Sequence, residues 1–157
     1  MTRFIDSMTR FADRRPVVAP PVVLVLRILG AALLATMGGI HLYLWSVGFE
    51  NITVIGPAFM LNAIAGLVLA IGVLLAPRRL LGWVAAAGAL LQLGTFLALM
   101  LALTVGLFGY HESTGATLFW PTVIVEVLGT VVLAILAGVQ PRESLVARAR
   151  EFVRPPG

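Results

Sequence analysis

Four long apolar runs constrain the fold of this chain more than any other feature. A helix rises ~1.5 Å per residue, so about 20 residues cross a hydrocarbon core of ~30 Å, and in lipid a helix satisfies its own backbone groups. The composition agrees, with 60% hydrophobic and 11% charged residues, against about 25% charged residues in soluble domains. The sequence therefore predicts an all-α, polytopic membrane protein with four transmembrane helices, at about residues 22–47, 57–76, 80–109 and 117–139.

Short connections join the predicted spans, which favours an up-down four-helix bundle within a transmembrane domain of residues 21–139. Pro57 and Pro121 fall within the first turns of their helices, where a missing amide donor costs nothing. Outside this domain, segments 1–20 and 140–157 carry apolar residues at helical spacing against charged ones. That pattern is typical of amphipathic segments on a membrane surface.

All 11 basic residues are arginines, and none lies in the first or third predicted link. With four spans they share one side of the membrane, so the positive-inside rule predicts that both termini are cytoplasmic. We interpret the all-arginine usage as bacterial and expect a bacterial plasma membrane. Arginines beside apolar spans favour anionic lipid over nucleic acid as a partner. The expected lipid-headgroup contacts are Arg14, Arg15, Arg78, Arg79 and a snorkelling Arg27.

Each predicted span contains one polar side chain that is costly in lipid and usually faces the bundle interior. These side chains are His41, Asn62, Gln92 and Glu126. Each shares a helix face with small residues, which line close helix contacts in membranes. Helix rise places Gln92 nearer the middle and the other three at one level of the outer leaflet. We therefore predict an outward-opening polar pocket in which Glu126 and His41 handle a proton or hold a ligand.

A competing interpretation is that these four groups only hydrogen-bond one another and fix the register of the helices. A metal or haem site is a further alternative, because two histidines and two loop carboxylates fall in the same predicted half of the membrane. No regular ligand motif supports this site, whose candidate ligands are His41, His111, Glu50 and Glu112. The chain also lacks cysteine, a nucleophile elbow and a phosphate loop, so no catalytic residue is predicted.

The first span contains Arg27-Ile28-Leu29-Gly30 and Gly38-Gly39-Ile40-His41, and the second contains Leu61-Asn62-Ala63-Ile64-Ala65-Gly66 followed by Gly72 and Pro77-Arg78-Arg79. In these segments, and over about residues 25–138, the chain resembles the DoxX-like group of small bacterial four-helix membrane proteins. The resemblance implies a plasma-membrane bundle, often linked to redox enzymes or quinones as an accessory subunit. Cysteines that serve thiol chemistry in some such proteins are absent here.

The scarcity of chemistry, the short loops and the two amphipathic tails favour a non-catalytic accessory or scaffold subunit of a larger plasma-membrane complex, such as a respiratory or redox complex. Its expected partners are lipids and other membrane subunits. The first alternative is a protein that binds a quinone-like small molecule, or couples transport to protons, through the outer-leaflet pocket. The second alternative is a haem- or metal-binding membrane protein. The sequence requires no cofactor and leaves quinone and haem open.

Overall fold

The computed structural model describes residues 17–141, which are helical apart from short links and one pair of two-residue strands. Each of the four main helices is long and apolar enough to cross a membrane. The predicted all-helical class is therefore confirmed. The helices are α1 (Pro20–Ser46), α2 (Ile55–Leu75), α3 (Arg78–Thr104) and α4 (Phe119–Gly138), with a short 3-10 helix at Phe49–Asn51. Arg14, Arg15 and most of both predicted amphipathic segments lie outside the described residues.

The ends of the helices follow local backbone chemistry. Pro57 and Pro121 each occupy the third position of their helix, as their missing amide donors predicted. α3 ends at Thr104, five residues before the predicted boundary at 109. Gly106 and Gly109 have φ angles of +83° and +81°, which lie outside the right-handed helical region. Residues 105–118 therefore form a link that folds over the end of the bundle, rather than an extension of the span.

Close backbone contact holds α1 against α2. A Cβ atom added to Gly66 would lie 3.0 Å from the carbonyl oxygen of Leu34 and 3.3 Å from the Cα atom of Gly38. On the other side, a Cβ atom added to Gly38 would lie 3.0 Å from the Ala63 carbonyl oxygen. Small residues allow this approach, and close van der Waals packing drives helix association in lipid. α1 also packs on α4, which packs on α3, whereas α2 and α3 contact each other less.

The apolar core occupies one half of the bundle. Leu34, Met37, Val73, Leu133 and Leu136 have no exposed surface, and they lie in the middle of α1 and towards the ends of α2 and α4. Residues from the first half of α3, including Leu81 and Ala85, complete the same cluster. Large apolar side chains cover the outward faces of all four helices, which is the expected surface of helices in contact with lipid.

The two ends of the helical region lie side by side. β1 (Val17–Val18) pairs in parallel with β2 (Gln140–Pro141), with Val17 opposite Gln140 and Val18 opposite Pro141. The start of α1 is therefore adjacent to the end of α4.

Arg27 hydrogen-bonds to protein, which the sequence did not predict. Its Nε donates to the carbonyl oxygen of Val73 at 2.9 Å, and its terminal nitrogen donates to the carbonyl oxygen of Ala76. These carbonyls belong to the end of α2, where backbone oxygens lack helical partners. Arg27 thus caps α2, while its predicted headgroup contact, like those of Arg78 and Arg79, stays a prediction.

Candidate functional site

A cavity of about 410 Å³ lies in the half of the bundle opposite the apolar core. Its wall is built from the last turns of α1 and α3, the first turns of α2 and α4, the 3-10 helix, and the link 105–118. Most of the lining is apolar or aromatic, and Phe49, Phe59, Tyr110 and Phe119 belong to it. The polar side chains in the wall are His41, Asn62, Thr95, Glu112, Thr117, Thr122 and Glu126.

Three of the four polar residues predicted to form a pocket line this one cavity, namely His41, Asn62 and Glu126. The fourth, Gln92, does not line it. Gln92 lies about one helical turn deeper on α3 than Thr95 and is fully buried. Its amide packs against Gly129, where an added Cβ atom would collide with Nε2. The structure therefore brings His41, Asn62 and Glu126 to one cavity and places Gln92 outside its lining.

No hydrogen bond within residues 17–141 joins any two of these four side chains. His41 bonds to a backbone carbonyl, and both Oε1 and Nε2 of Gln92 have no hydrogen-bond partner. Glu126 also has one unpartnered oxygen, Oε2. The interpretation in which these groups only satisfy one another does not describe this arrangement.

Glu126 is the most unusual group in the cavity wall. It lies about 10 Å along α4 from the start of the helix, and only 1% of its surface is exposed. The hydroxyl of Thr95 lies against its carboxyl group, while Oε2 has no hydrogen-bond partner within residues 17–141. Buried polar atoms in native proteins are nearly always hydrogen-bonded, so an orphaned carboxyl oxygen calls for a partner that the described part of the chain does not supply.

The hydrogen bond of His41 fixes its tautomer. Nδ1 lies 2.9 Å from the carbonyl oxygen of Met37, and because a carbonyl only accepts, Nδ1 carries the hydrogen. In the neutral ring Nε2 is then an acceptor.

Two threonine hydroxyls near Glu126 contact backbone carbonyls of their own helices. Thr122 donates to the Leu118 carbonyl at 2.7 Å. The Thr95 hydroxyl lies 2.9 Å from the Gln92 carbonyl and 3.2 Å from the Leu91 carbonyl, and it also lies against the Glu126 carboxyl group, so its single hydrogen serves one of these acceptors at a time.

Aromatic rings connect the buried histidine to the link at the end of the bundle. The ring of Phe59 meets His41 edge-on with centroids 5.0 Å apart and stacks on Phe49 at 5.0 Å. Phe49 in turn meets Tyr110 edge-on at 5.5 Å. This aromatic series joins α1, α2, the 3-10 helix and the link 105–118 along one side of the cavity.

Tyr110 and Glu112 form a second polar group in the wall, within the link. The Tyr110 hydroxyl donates to Glu112 Oε2 at 3.0 Å, and the backbone amide of Ser113 donates to Oε1 at 2.8 Å. Burial, helped by the hydrogen bond and charge of Glu112, raises the pKa of Tyr110 to about 12. Tyr110 is therefore a stable donor, and both oxygens of Glu112 have partners.

The candidate metal ligands are not brought together. His111 is exposed and packs its ring over Gly106, where an added Cβ atom would lie 2.6 Å from Nε2. Neither His111 nor Glu50 lines the cavity that contains His41 and Glu112. Residues 17–141 contain no group of three or more histidine, cysteine, aspartate or glutamate side chains that could hold a metal ion.

The aromatic residues were not predicted as site residues, and Glu112 was predicted only as a candidate metal ligand and not as the partner of Tyr110. The available signal was weak: Phe49, Phe59 and Tyr110 fall near the predicted outer ends of the spans, where aromatic residues are common in any membrane protein. Comparison of the chain with known protein families, curated proteins and solved structures finds no match. The DoxX-like resemblance stays a prediction, and the role of the cavity has to be inferred from its geometry.

Proposed function

We propose that this protein binds a small molecule with a polar head and an apolar body in the cavity between its four helices. The observation that carries this proposal is the unpartnered Oε2 of Glu126, buried in the wall of a cavity of about 410 Å³. Ligand sites are concave and mostly apolar, with a few placed polar groups that fix orientation. A carboxyl oxygen without a protein partner is such a group.

The shape of the bundle favours binding over passage. On one side of Glu126 lies the cavity, and on the other lie Gln92 and the apolar core around Leu34 and Leu133. A packed core of this kind leaves no polar path for an ion or a proton. Proton-coupled transport would need a second conformation in which this half opens, whereas binding needs only the conformation described.

We further propose an up-down bundle with both termini in the cytoplasm of a bacterium and the cavity in the outer half of the plasma membrane. Two features support this topology: the adjacency of β1 and β2, and the short links between helices. The charges within residues 17–141 also agree. Arg78 and Arg79 begin α3, whereas Glu50 and Glu112 lie in the links at the cavity end, as the positive-inside rule expects.

Native mass spectrometry of the protein, extracted from its own membrane in mild detergent, tests the binding proposal. We expect a discrete small-molecule adduct that is lost in Ala98→Phe, because Ala98 lines the cavity and the larger ring fills it. Ala87→Phe is the matched control, since Ala87 lies on the exposed face of the same helix and its variant should keep the adduct.

A wild-type protein without an adduct, or an adduct that persists in Ala98→Phe, would contradict the binding proposal. The accessory-subunit role stays a prediction, and the same spectra test it. Larger subunits that remain bound in constant stoichiometry would support that role.

A further inference from the structure

The charges around the cavity are one-sided. Among residues 17–141, two carboxyl groups line it, those of Glu112 and Glu126, and no arginine does; the chain contains no lysine at all. The arginines within residues 17–141 lie elsewhere, with Arg27 bonded to the end of α2 and Arg78 and Arg79 at the start of α3. Within the described part of the chain, negative charge in the cavity therefore has no arginine beside it, and a buried charge without a partner is costly.

The hydrogen-bonding groups of the cavity are mostly acceptors. The hydrogens of His41 Nδ1 and Thr122 are donated to backbone carbonyls, and both oxygens of Glu112 already accept hydrogen bonds. Glu126 Oε2 has no hydrogen-bond partner within residues 17–141. The donors in the wall are the amide of Asn62 and the hydroxyls of Thr95 and Thr117, whereas the two carboxyl groups and the unprotonated nitrogen of His41 are acceptors. A ligand that carries positive charge matches this set of acceptors.

The apolar part of the wall suits the same kind of ligand. Phe49, Phe59 and Tyr110 lie in ring contact with one another along one side of the cavity, and Phe119 belongs to the lining as well. Aromatic faces attract cations, most strongly where water is excluded, and they also bury apolar substituents. An acidic group in the wall of a cavity that is partly lined by aromatic rings is an arrangement that suits organic cations better than small hydrated ions.

We propose that the ligand of this cavity is a lipophilic organic cation, and that Glu126 is its counterion at the cavity floor. This inference rests on the proposed binding function and adds the chemical class of the ligand. Glu112 has a smaller part, because its two hydrogen bonds to Tyr110 and Ser113 already satisfy its carboxylate.

Binding of tetraphenylphosphonium to the purified protein in dodecyl maltoside tests the proposal, with tetraphenylborate as a probe of nearly the same shape and opposite charge. We expect saturable binding of tetraphenylphosphonium and no competition by tetraphenylborate. Glu126→Gln keeps the shape of the side chain and removes its charge, so it should weaken tetraphenylphosphonium binding about tenfold or more. Glu126→Asp keeps the charge and should retain binding.

Glu50→Gln is the matched control, because Glu50 is exposed and does not line the cavity, and its binding should equal that of the wild type. If Glu126→Gln binds tetraphenylphosphonium as tightly as the wild type, or tetraphenylborate competes equally well, the cation assignment is overturned. The small-molecule site would still stand if Ala98→Phe removes the native adduct. If no adduct exists and neither probe binds saturably, the proposed binding function fails as well.

Discussion

The contact between Gly38 and Gly66 makes a sharp prediction about what holds α1 to α2. In Gly66→Ala the new methyl group would lie 3.0 Å from the Leu34 carbonyl oxygen and 3.3 Å from the Gly38 Cα atom. A third neighbour, the terminal methyl of Met37 at 3.2 Å, is the end of a flexible side chain and can move. The two backbone atoms cannot move without displacing their helix.

The expected cost follows from this geometry. Ordinary contact begins at about 3.4 Å, so relief of the 3.0 Å contact requires α1 and α2 to separate by about 0.4 Å along the crossing. Overpacking of this kind costs about 1–3 kcal/mol, because the displaced helices lose contacts on either side of the inserted group. Gly39→Ala is the matched control on α1, since nothing lies within 4 Å of the added Cβ atom.

Reversible unfolding in mixed micelles of dodecyl maltoside and dodecyl sulfate, followed by tryptophan fluorescence, measures the difference. Helices persist in the dodecyl sulfate state, so the higher helix propensity of alanine contributes little and the packing cost remains visible. We expect the free energy of unfolding of Gly66→Ala to be about 1–3 kcal/mol below that of Gly39→Ala. Gly38→Ala forces α1 and α2 apart at the same crossing. The double variant should therefore lose less stability than the sum of the losses of the two single variants.

Equal stabilities for Gly66→Ala and Gly39→Ala, within about 0.5 kcal/mol, would refute this reasoning. Strict additivity of Gly38→Ala and Gly66→Ala would likewise contradict the single shared crossing.

Three further predictions concern the ends of the bundle. Arg27→Met removes two hydrogen bonds from the end of α2 and should lower the free energy of unfolding by about 1.5–3 kcal/mol. The same unfolding measurement in mixed micelles tests this, and an unchanged free energy would mean that water or lipid replaces the guanidinium. Gly106→Ala places a side chain at φ +83° and should lower the free energy of unfolding by at least about 1–2 kcal/mol. An unfolding midpoint equal to that of the wild type would contradict this prediction. In a Tyr43→Phe background, the ultraviolet absorbance of Tyr110 should titrate near pH 12, and Glu112→Gln should lower this midpoint only partly, because burial is the larger cause. Since the folded state holds this proton above the ordinary value of about 10, its stabilisation is complete below pH 10 and is lost as the pH rises through about 12; a midpoint near 10 would contradict the buried position.

The four spans and the inward faces could be predicted because both depend on local properties of the sequence. In lipid, a long apolar segment satisfies its own backbone hydrogen-bonding groups by forming a helix. Hydropathy along the chain is therefore enough to place the spans. Periodicity then fixes faces, since residues three and four apart lie together. His41, Asn62 and Glu126 follow from these two rules, and all three line the cavity.

Other features depend on how far apart the helices lie and where the links turn, which no local pattern specifies. Gln92 obeys the same face rule as Glu126, yet it packs against Gly129 one turn below the cavity. The predicted extension of α3 to 109 instead turns back at Gly106, which brings Tyr110 into the wall.

The sequence by itself therefore determined that this chain forms four apolar helices with a polar group on the inner face of each, because helix formation in lipid and face assignment are short-range properties. Only the tertiary structure decided that Arg27 caps α2, that the aromatic rings line one side of a cavity, and that Glu126 is left there with an unpartnered oxygen. Those outcomes depend on contacts between residues that are far apart in the chain. The distance between neighbouring helices determines which of these side chains touch, and that distance depends on the packing of each side chain in the contact.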